Sequence, residues 1–195
     1  PIYANLVYEV YDQMSVNSVP GRGVESFNIT SLYDPEVESG GGQARLFDQM
    51  MGWYNRYEVK SAFVTVEVFN AKFSVVGEPV LFGLYQSDQS SAPEFTGAGS
   101  SLGYSRNLFN NKSHNGVIRS GITVGTDQTG GSRVYLRQMI KNPFLLNSGH
   151  ETRDKEGTVS AGPGTPGYTH FCIHADGQTA TSTIKYRIRI VTRVK

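Results

Sequence analysis

The most evident chemical resource of this chain is the run from Thr183 to Lys195. There Lys185, Arg187, Arg189, Arg193 and Lys195 alternate with Ile184, Tyr186, Ile188, Ile190 and Val194. Successive side chains of a strand face opposite sides, so this spacing collects the cations on one face and turns the apolar set toward a core. A cationic row can face phosphates, where each neutralised group releases counterions and adds sequence-independent affinity. The plainer reading is a solvated sheet face whose basic side chains guard against edge pairing. The whole chain holds 18 basic and 17 acidic residues. The positive charge is therefore concentrated in this run, which favours the phosphate-facing reading.

A second set of reactive groups lies in His170-Phe171-Cys172-Ile173-His174, which places two imidazoles and a thiol on one face of a strand. A strand holds positions i and i+4 roughly 13 Å apart, too far for both histidines to hold one ion without bending. Cys172 with one of them is the most such a site could use, and no CxxC or helical HxxxH pair supports it. These are expected to be half-buried structural side chains, with no metal and no cofactor. Asp48 could act as a carboxylate base, but a hydrogen bond at a helix end is the better account. GxSxG, HExxH and P-loop spellings are absent. The chain is not expected to be an enzyme.

These groups must be positioned by a chain whose bulk properties are restrictive. Its 195 residues fit one domain, 1–195. A domain of this length buries roughly 70% of its unfolded surface, so the core needs no disulfide or metal. The formal charge of +1 is unlike the clear basic excess of a free-standing nucleic-acid binder. Cys172 is the one cysteine, which excludes an intrachain disulfide. No apolar run reaches the roughly 18 residues of a membrane span, and no membrane partner is expected. The sequons Asn28-Ile29-Thr30 and Asn111-Lys112-Ser113 read as chance spellings.

With 22 Gly, 11 Tyr and 10 Phe, the chain suits strands joined by many turns. Strands are expected over Ile2–Tyr11, Ser26–Tyr33, Tyr57–Asn70, Val80–Tyr85, Val117–Val124, Ser132–Ile140, Tyr168–Ala175 and Thr183–Lys195. The Tyr57–Asn70 strand is apolar on both faces, so it should lie inside a sandwich or at a subunit contact. One helix is expected over Ala44–Asn55, its stripe of Phe47, Met50, Met51 and Tyr54 buried. Gln86–Ser101 and His150–Gly167 read as long exposed loops, and Asp176-Gly177 as a hairpin turn. Tyr85, Phe95, Tyr104, Phe109 and Phe144 fall in or beside loops, where rings serve subunit contacts or stack on sugars. The fold class is all-β: about eight strands, one short helix and long loops, as in a jelly roll or an immunoglobulin-like sandwich.

The segment from Leu46 to Phe69 narrows this choice. Phe47-Asp48-Gln49, then Tyr54, Tyr57, Val59, Ser61 and a β-branched run, resemble the capsid-protein pattern of circovirus-like, Rep-encoding circular single-stranded DNA viruses. Lys60 stands where that pattern has glycine, and Ala62 where a basic residue is common. The resemblance implies a single eight-stranded jelly roll with the Phe-Asp-Gln segment just before the fourth strand. It implies self-assembly into an icosahedral T=1 shell of sixty subunits that packages a circular single-stranded DNA genome. Virion localisation, a nuclear stage during assembly and a host-cell receptor follow from the same resemblance. Such proteins usually begin with an arginine-rich arm. The chain opens on Pro1, and that arm is expected to be absent from this sequence. The alternative is a carbohydrate-binding or lectin-like β-sandwich module.

Overall fold

The computed structural model describes residues 2–17, 21–37, 42–69, 73, 80–88, 90, 117–121, 133–144, 155–175 and 179–195, with 117–121 as backbone only. Its strands are β1 (Ala4–Val16), β2 (Arg22–Asn28), β3 (Tyr57–Phe69), β4 (Val80–Ser87), β5 (Val117–Gly121), β6 (Val134–Ile140), the two-residue β7 (Glu156–Gly157), β8 (Tyr168–Ala175) and β9 (Ser182–Val194). The single short helix of the described residues is α1 (Phe47–Met51).

Sheet A runs β1-β9-β3-β6, with β7 added to one end of β3; sheet B runs β2-β8-β4-β5. Every pairing is antiparallel. With β7 set aside, the first strand pairs with the last, the second with the second last, and so inward to β4 with β5. This is one long antiparallel hairpin rolled into two sheets, the order of a jelly roll. It excludes the immunoglobulin-like alternative, whose sheets group their strands differently.

The core lies between the sheets. Sheet A contributes Val64, Val66, Leu136, Ile184, Tyr186 and Ile188, and sheet B contributes Phe27, Phe82, Leu84, Phe171 and Ile173, all buried. Phe171 meets Tyr186 across the gap with ring centroids 5.2 Å apart.

Local chemistry moved several boundaries. β1 continues to Val16 because its partner β9 offers a ladder down to Ser182. β2 begins at Arg22, after Gly21 turns the chain at φ 74°. It stops at Asn28, whose side-chain oxygen accepts from the backbone N–H of Thr30 (3.1 Å) and of Ser31 (3.0 Å). That local turn competes with the sheet ladder. It also gives the Asn28 sequon a structural reason to exist.

The helix is far shorter than its apolar spacing predicts. Ala44 and Arg45 are tied in extended form by Ala44 N–H to Leu32 O (3.0 Å) and Arg45 N–H to Val7 O (2.8 Å). Leu46 then takes the left-handed conformation, φ 66°, and only one turn fits before Gly52. Phe47 and Met51 are buried, Met50 is partly buried and Tyr54 is exposed, so the stripe is half formed. α1 precedes the third strand of the chain, not the fourth.

Three further expectations are corrected. β3 is sealed on one face only: its outer face carries Ser61, Phe63, Thr65 and Glu67. The 150–167 stretch is not all loop, since β7 pairs with Tyr57 and Glu58 and Thr158 bridges to Ala161. The strands flanking Asp176-Gly177 do not pair with each other; β8 belongs to sheet B and β9 to sheet A. Residues 70, 91–101, 122–124 and 176–177, and with them Phe95, Tyr104, Phe109 and the Asn111 sequon, lie outside the described residues. Tyr85, within β4, and Phe144 are buried rather than exposed loop aromatics.

Candidate nucleic-acid interface

The alternation in β9 survives intact. Ile184, Tyr186, Ile188, Ile190, Thr192 and Val194 are buried, while Lys185, Arg189 and Arg193 are exposed and Arg187 is half-exposed on the outer face of sheet A. Lys195 follows the strand, exposed, its backbone paired with Glu58.

Because β9 lies between β1 and β3, strands distant in sequence decide what the cations meet. Register sets Glu9 of β1 opposite Arg189, and Tyr11 opposite Arg187. On the other side Glu67 of β3 faces Arg187 and Thr65 faces Arg189. The Arg187 guanidinium consequently donates to Glu67 at 2.6 Å and to the Tyr11 hydroxyl at 3.3 Å, with Glu9 3.6 Å away. Its pKa is raised by the Tyr11 hydrogen bond and, less, by the carboxylates of Glu67 and Glu9. Glu67 is only 5% exposed and also accepts from the Tyr135 hydroxyl at 2.7 Å. Arg187 thus neutralises a nearly buried carboxylate. Arg189 reaches Glu9 only at 3.9 Å, and Arg193 lies over the Tyr3 ring at 4.8 Å.

Two cations of this face escaped the sequence reading. Arg133 and Arg137 of the β6 region share the outward parity of Tyr135 and Met139; Arg137 faces Thr65, and Arg133 sits 3.7 Å from Glu67. The signal was present in Arg133-Val134-Tyr135-Leu136-Arg137, which alternates as β9 does. The outer face of sheet A thus gathers Arg133, Arg137, Lys185, Arg187, Arg189 and Arg193 around Glu9 and Glu67.

The motif segment forms a separate packed unit at one end of the sandwich. Phe47 meets Tyr57 edge to face, 5.6 Å between centroids at 90°. The Tyr57 hydroxyl accepts from the Leu32 N–H at 3.0 Å. Burial raises the Tyr57 pKa, partly offset by hydrogen bonds from Leu32, Ser31 and Tyr33. Gly157 of β7 lies directly on the Tyr57 ring, where an added Cβ would overlap it. Val59 is buried, and Ser61 stands at a register irregularity of β3. Asp48 and Gln49 are exposed; Asp48 lies in the first turn of α1, whose N-cap residue, Leu46, offers no side-chain capping bond. Tyr54, with Met50 and Met51, lines a cavity of about 420 Å³ that runs to Ile2, Val194 and Lys195. Flanking α1 in the chain, Trp53 is 84% exposed and Leu46 65%.

His170, Cys172 and His174 are on one face of β8, as their spacing requires, but they are fully buried rather than half-buried. His170 Nδ1 is 2.8 Å from Ser26 Oγ, and its ring packs on Tyr85 at 4.8 Å. Among the described residues no group of three His, Cys, Asp or Glu side chains could hold a metal ion. None of their helices is long and apolar enough to cross a membrane.

No protein-family model and no curated protein sequence matches the chain. Solved structures do. A turnip yellow mosaic virus chain is 12% identical with a TM-score of 0.43, covering 100% of this chain and 79% of that one. The decameric BFDV capsid protein is 14% identical with a TM-score of 0.46, covering 99% and 98%. A T=1 subviral particle of a Penaeus vannamei nodavirus capsid deletion mutant is 10% identical with a TM-score of 0.43, covering 100% and 94%. The jelly-roll assignment stands on the strand order described above.

Proposed function

We propose that this chain is a viral coat protein whose jelly rolls assemble into a closed icosahedral shell around a nucleic acid. The observation that carries the reading is the outer face of sheet A: an open sheet surface with six cations around two carboxylates, on a chain with a formal charge of only +1. A face of this kind neutralises phosphates without reading sequence, as packaging requires. The circovirus-like spelling from Leu46 to Phe69 agrees with it, because Phe47, Tyr57 and Val59 form the packed end of the roll. Trp53 and Leu46, exposed apolar side chains flanking α1, suit a surface covered by another subunit.

In its finer form the reading is a T=1 shell of sixty subunits, a circular single-stranded DNA cargo, a nuclear stage of assembly, and a structural rather than enzymatic role. Lys185, Arg189 and Arg193, with Arg137 added, are the residues assigned to phosphate contact. Arg187 is assigned mainly to holding Glu67. The whole of 1–195 acts as one domain.

Negative-stain microscopy of the purified protein, with absorbance at 260 and 280 nm on the same fractions, tests this. Uniform closed shells with a high ratio are expected. A monomer or small oligomer in every buffer tried would overturn it. The carbohydrate-binding alternative would then be tested by sugar-dependent stabilisation.

A further inference from the structure

The cationic row leaves one feature of sheet A unexplained. At the end of the face nearest Lys185, Tyr11 of β1 and Phe69 of β3 lean toward each other across β9. Their rings are near-parallel, 14° apart in plane and 6.2 Å between centroids. Tyr11 is 66% exposed. The two rings wall an open groove of about 510 Å³, whose other sides are Asp12, Gln13, Lys185 and Tyr186. Cations stand over both rings: Arg187 is 5.7 Å from the Tyr11 centroid and Arg133 5.8 Å from that of Phe69. Core packing does not require this ledge, because both side chains point away from the interior. Charge alone does not require it either, since phosphates need no aromatic surface.

We infer that this groove holds a nucleotide of a single-stranded nucleic acid, its base against the Tyr11–Phe69 ledge and its phosphate beside Lys185. The inference rests on the coat-protein reading for its cargo, and goes beyond it by naming the seat and the strandedness. Aromatic ledges beside cations bind single strands because every unpaired base offers a π-face, whatever its identity. A duplex stacks those faces on one another and has none to offer. Charge complementarity selects a polyanion, since Lys185 lines the groove while Arg187, Arg189 and Arg133 extend the same field. Asp12 is the single carboxylate in the lining. One of its oxygens accepts the Gln13 N–H at 2.7 Å, and its register opposite Tyr186 turns its side chain to the inner side of sheet A, away from Lys185.

The test is anisotropy of a labelled oligothymidylate, and of a mixed-sequence duplex, on the full chain across a range of salt. Tyr11→Ala should weaken the single strand about tenfold, leave duplex affinity unchanged, and leave the salt slope unchanged. Lys185→Ala should instead reduce that slope by about one. In a Trp53→Phe background, Tyr11→Trp should keep wild-type affinity, and its emission should be quenched by the bound strand. Equal losses for single strand and duplex, or no loss from Tyr11→Ala, would overturn the inference. So would displacement of the strand by a simple sugar, or no binding of the strand by the wild type. Negative-stain images of the same variants separate the two readings: shells that form normally while the stacking test fails remove the groove and leave the coat protein standing.

Discussion

The outward faces of the two sheets begin alike. β9 and β8 each lie inside their sheet, between two partners, and each presents polar groups at alternate positions. On sheet A these are Lys185, Arg187, Arg189 and Arg193; on sheet B they are Tyr168, His170, Cys172 and His174. Their fates differ. The Arg189 side chain is 50% exposed and that of Arg187 35%, whereas His170, Cys172 and His174 are at 0, 0 and 2%. The difference is chemical. A guanidinium keeps its charge at any ordinary pH, and burying it without a partner costs far more than a fold can spare. An imidazole, thiol or phenol can be neutral and needs only a hydrogen bond, as Ser26 supplies to His170. Alternation therefore tells which side a residue faces, and side-chain chemistry tells whether that side can be closed.

The largest expected effect comes from forcing the wrong chemistry onto the closed face. Cys172→Arg places a permanent charge at a fully buried position and should cost on the order of 4–5 kcal/mol, enough to prevent folding. Arg189→Gln, at an exposed position of the open face, should change stability by less than about 0.5 kcal/mol. Urea denaturation of both reads the contrast directly. A folded, soluble Cys172→Arg protein would mean that the face of sheet B opens.

Within the open face the same reasoning separates Arg187 from its neighbours. Charge reversal at Arg187 leaves Glu67, 5% exposed, beside a like charge. The expected result is a measurable fall in the urea midpoint, below the full cost of breaking a buried pair because the Arg187 side is solvated. A Glu67→Gln change in the same protein should restore most of it. Arg189→Gln together with charge reversal at Arg193 should spare stability but lower the 260/280 nm absorbance ratio of assembled particles. Reversal of Arg187 and Arg189 together would mix a stability effect with a cargo effect.

How much of this was legible follows from range. The β9 alternation is local and was read correctly, and the same eye applied to β6 would have found Arg133 and Arg137. Glu9 and Glu67 could not be placed, because they meet Arg187 only through pairings between strands far apart in the chain. The jelly roll was reached through the number of strands and the Leu46–Phe69 resemblance; the sheet order that defines it is likewise a long-range property. The helix was overestimated because apolar spacing ignores backbone bonds such as Arg45 to Val7, which hold the chain extended up to Leu46. β8 was read as half-buried because its polar residues look like a wet face, although all of them can be sealed while neutral.

The next effect is in pH. Tyr8, Tyr57, Tyr168 and Tyr186 all have pKa values raised from the ordinary 10.0, chiefly by burial. The unfolded chain loses those protons first, so their contribution is complete below about pH 10 and declines as pH rises toward the folded values. Denaturant midpoints measured upward from about pH 8 should hold and then fall. Tyr57→Phe should cost about 1 kcal/mol at neutral pH through the lost Leu32 bond, yet decline less steeply in alkali. A wild-type midpoint that stays flat well above pH 10 would mean that these phenols are solvated.

The smallest effect on the folded monomer is expected at Trp53, and that is what makes it informative about assembly. At 84% exposure its indole packs on little of its own chain, so Trp53→Ala should move the denaturation midpoint by less than about 0.5 kcal/mol. An indole left in water is the kind of surface another subunit covers. As the sole tryptophan, it also reports its own surroundings without a label. Emission should shift to shorter wavelength as shells form, and Trp53→Ala should raise the protein concentration at which shells appear while the monomer remains folded. An emission maximum that does not move on assembly would place the subunit contacts elsewhere. The end of the roll bearing α1 would then be a second open face, differing from sheet A in exposing an indole where sheet A exposes a row of cations.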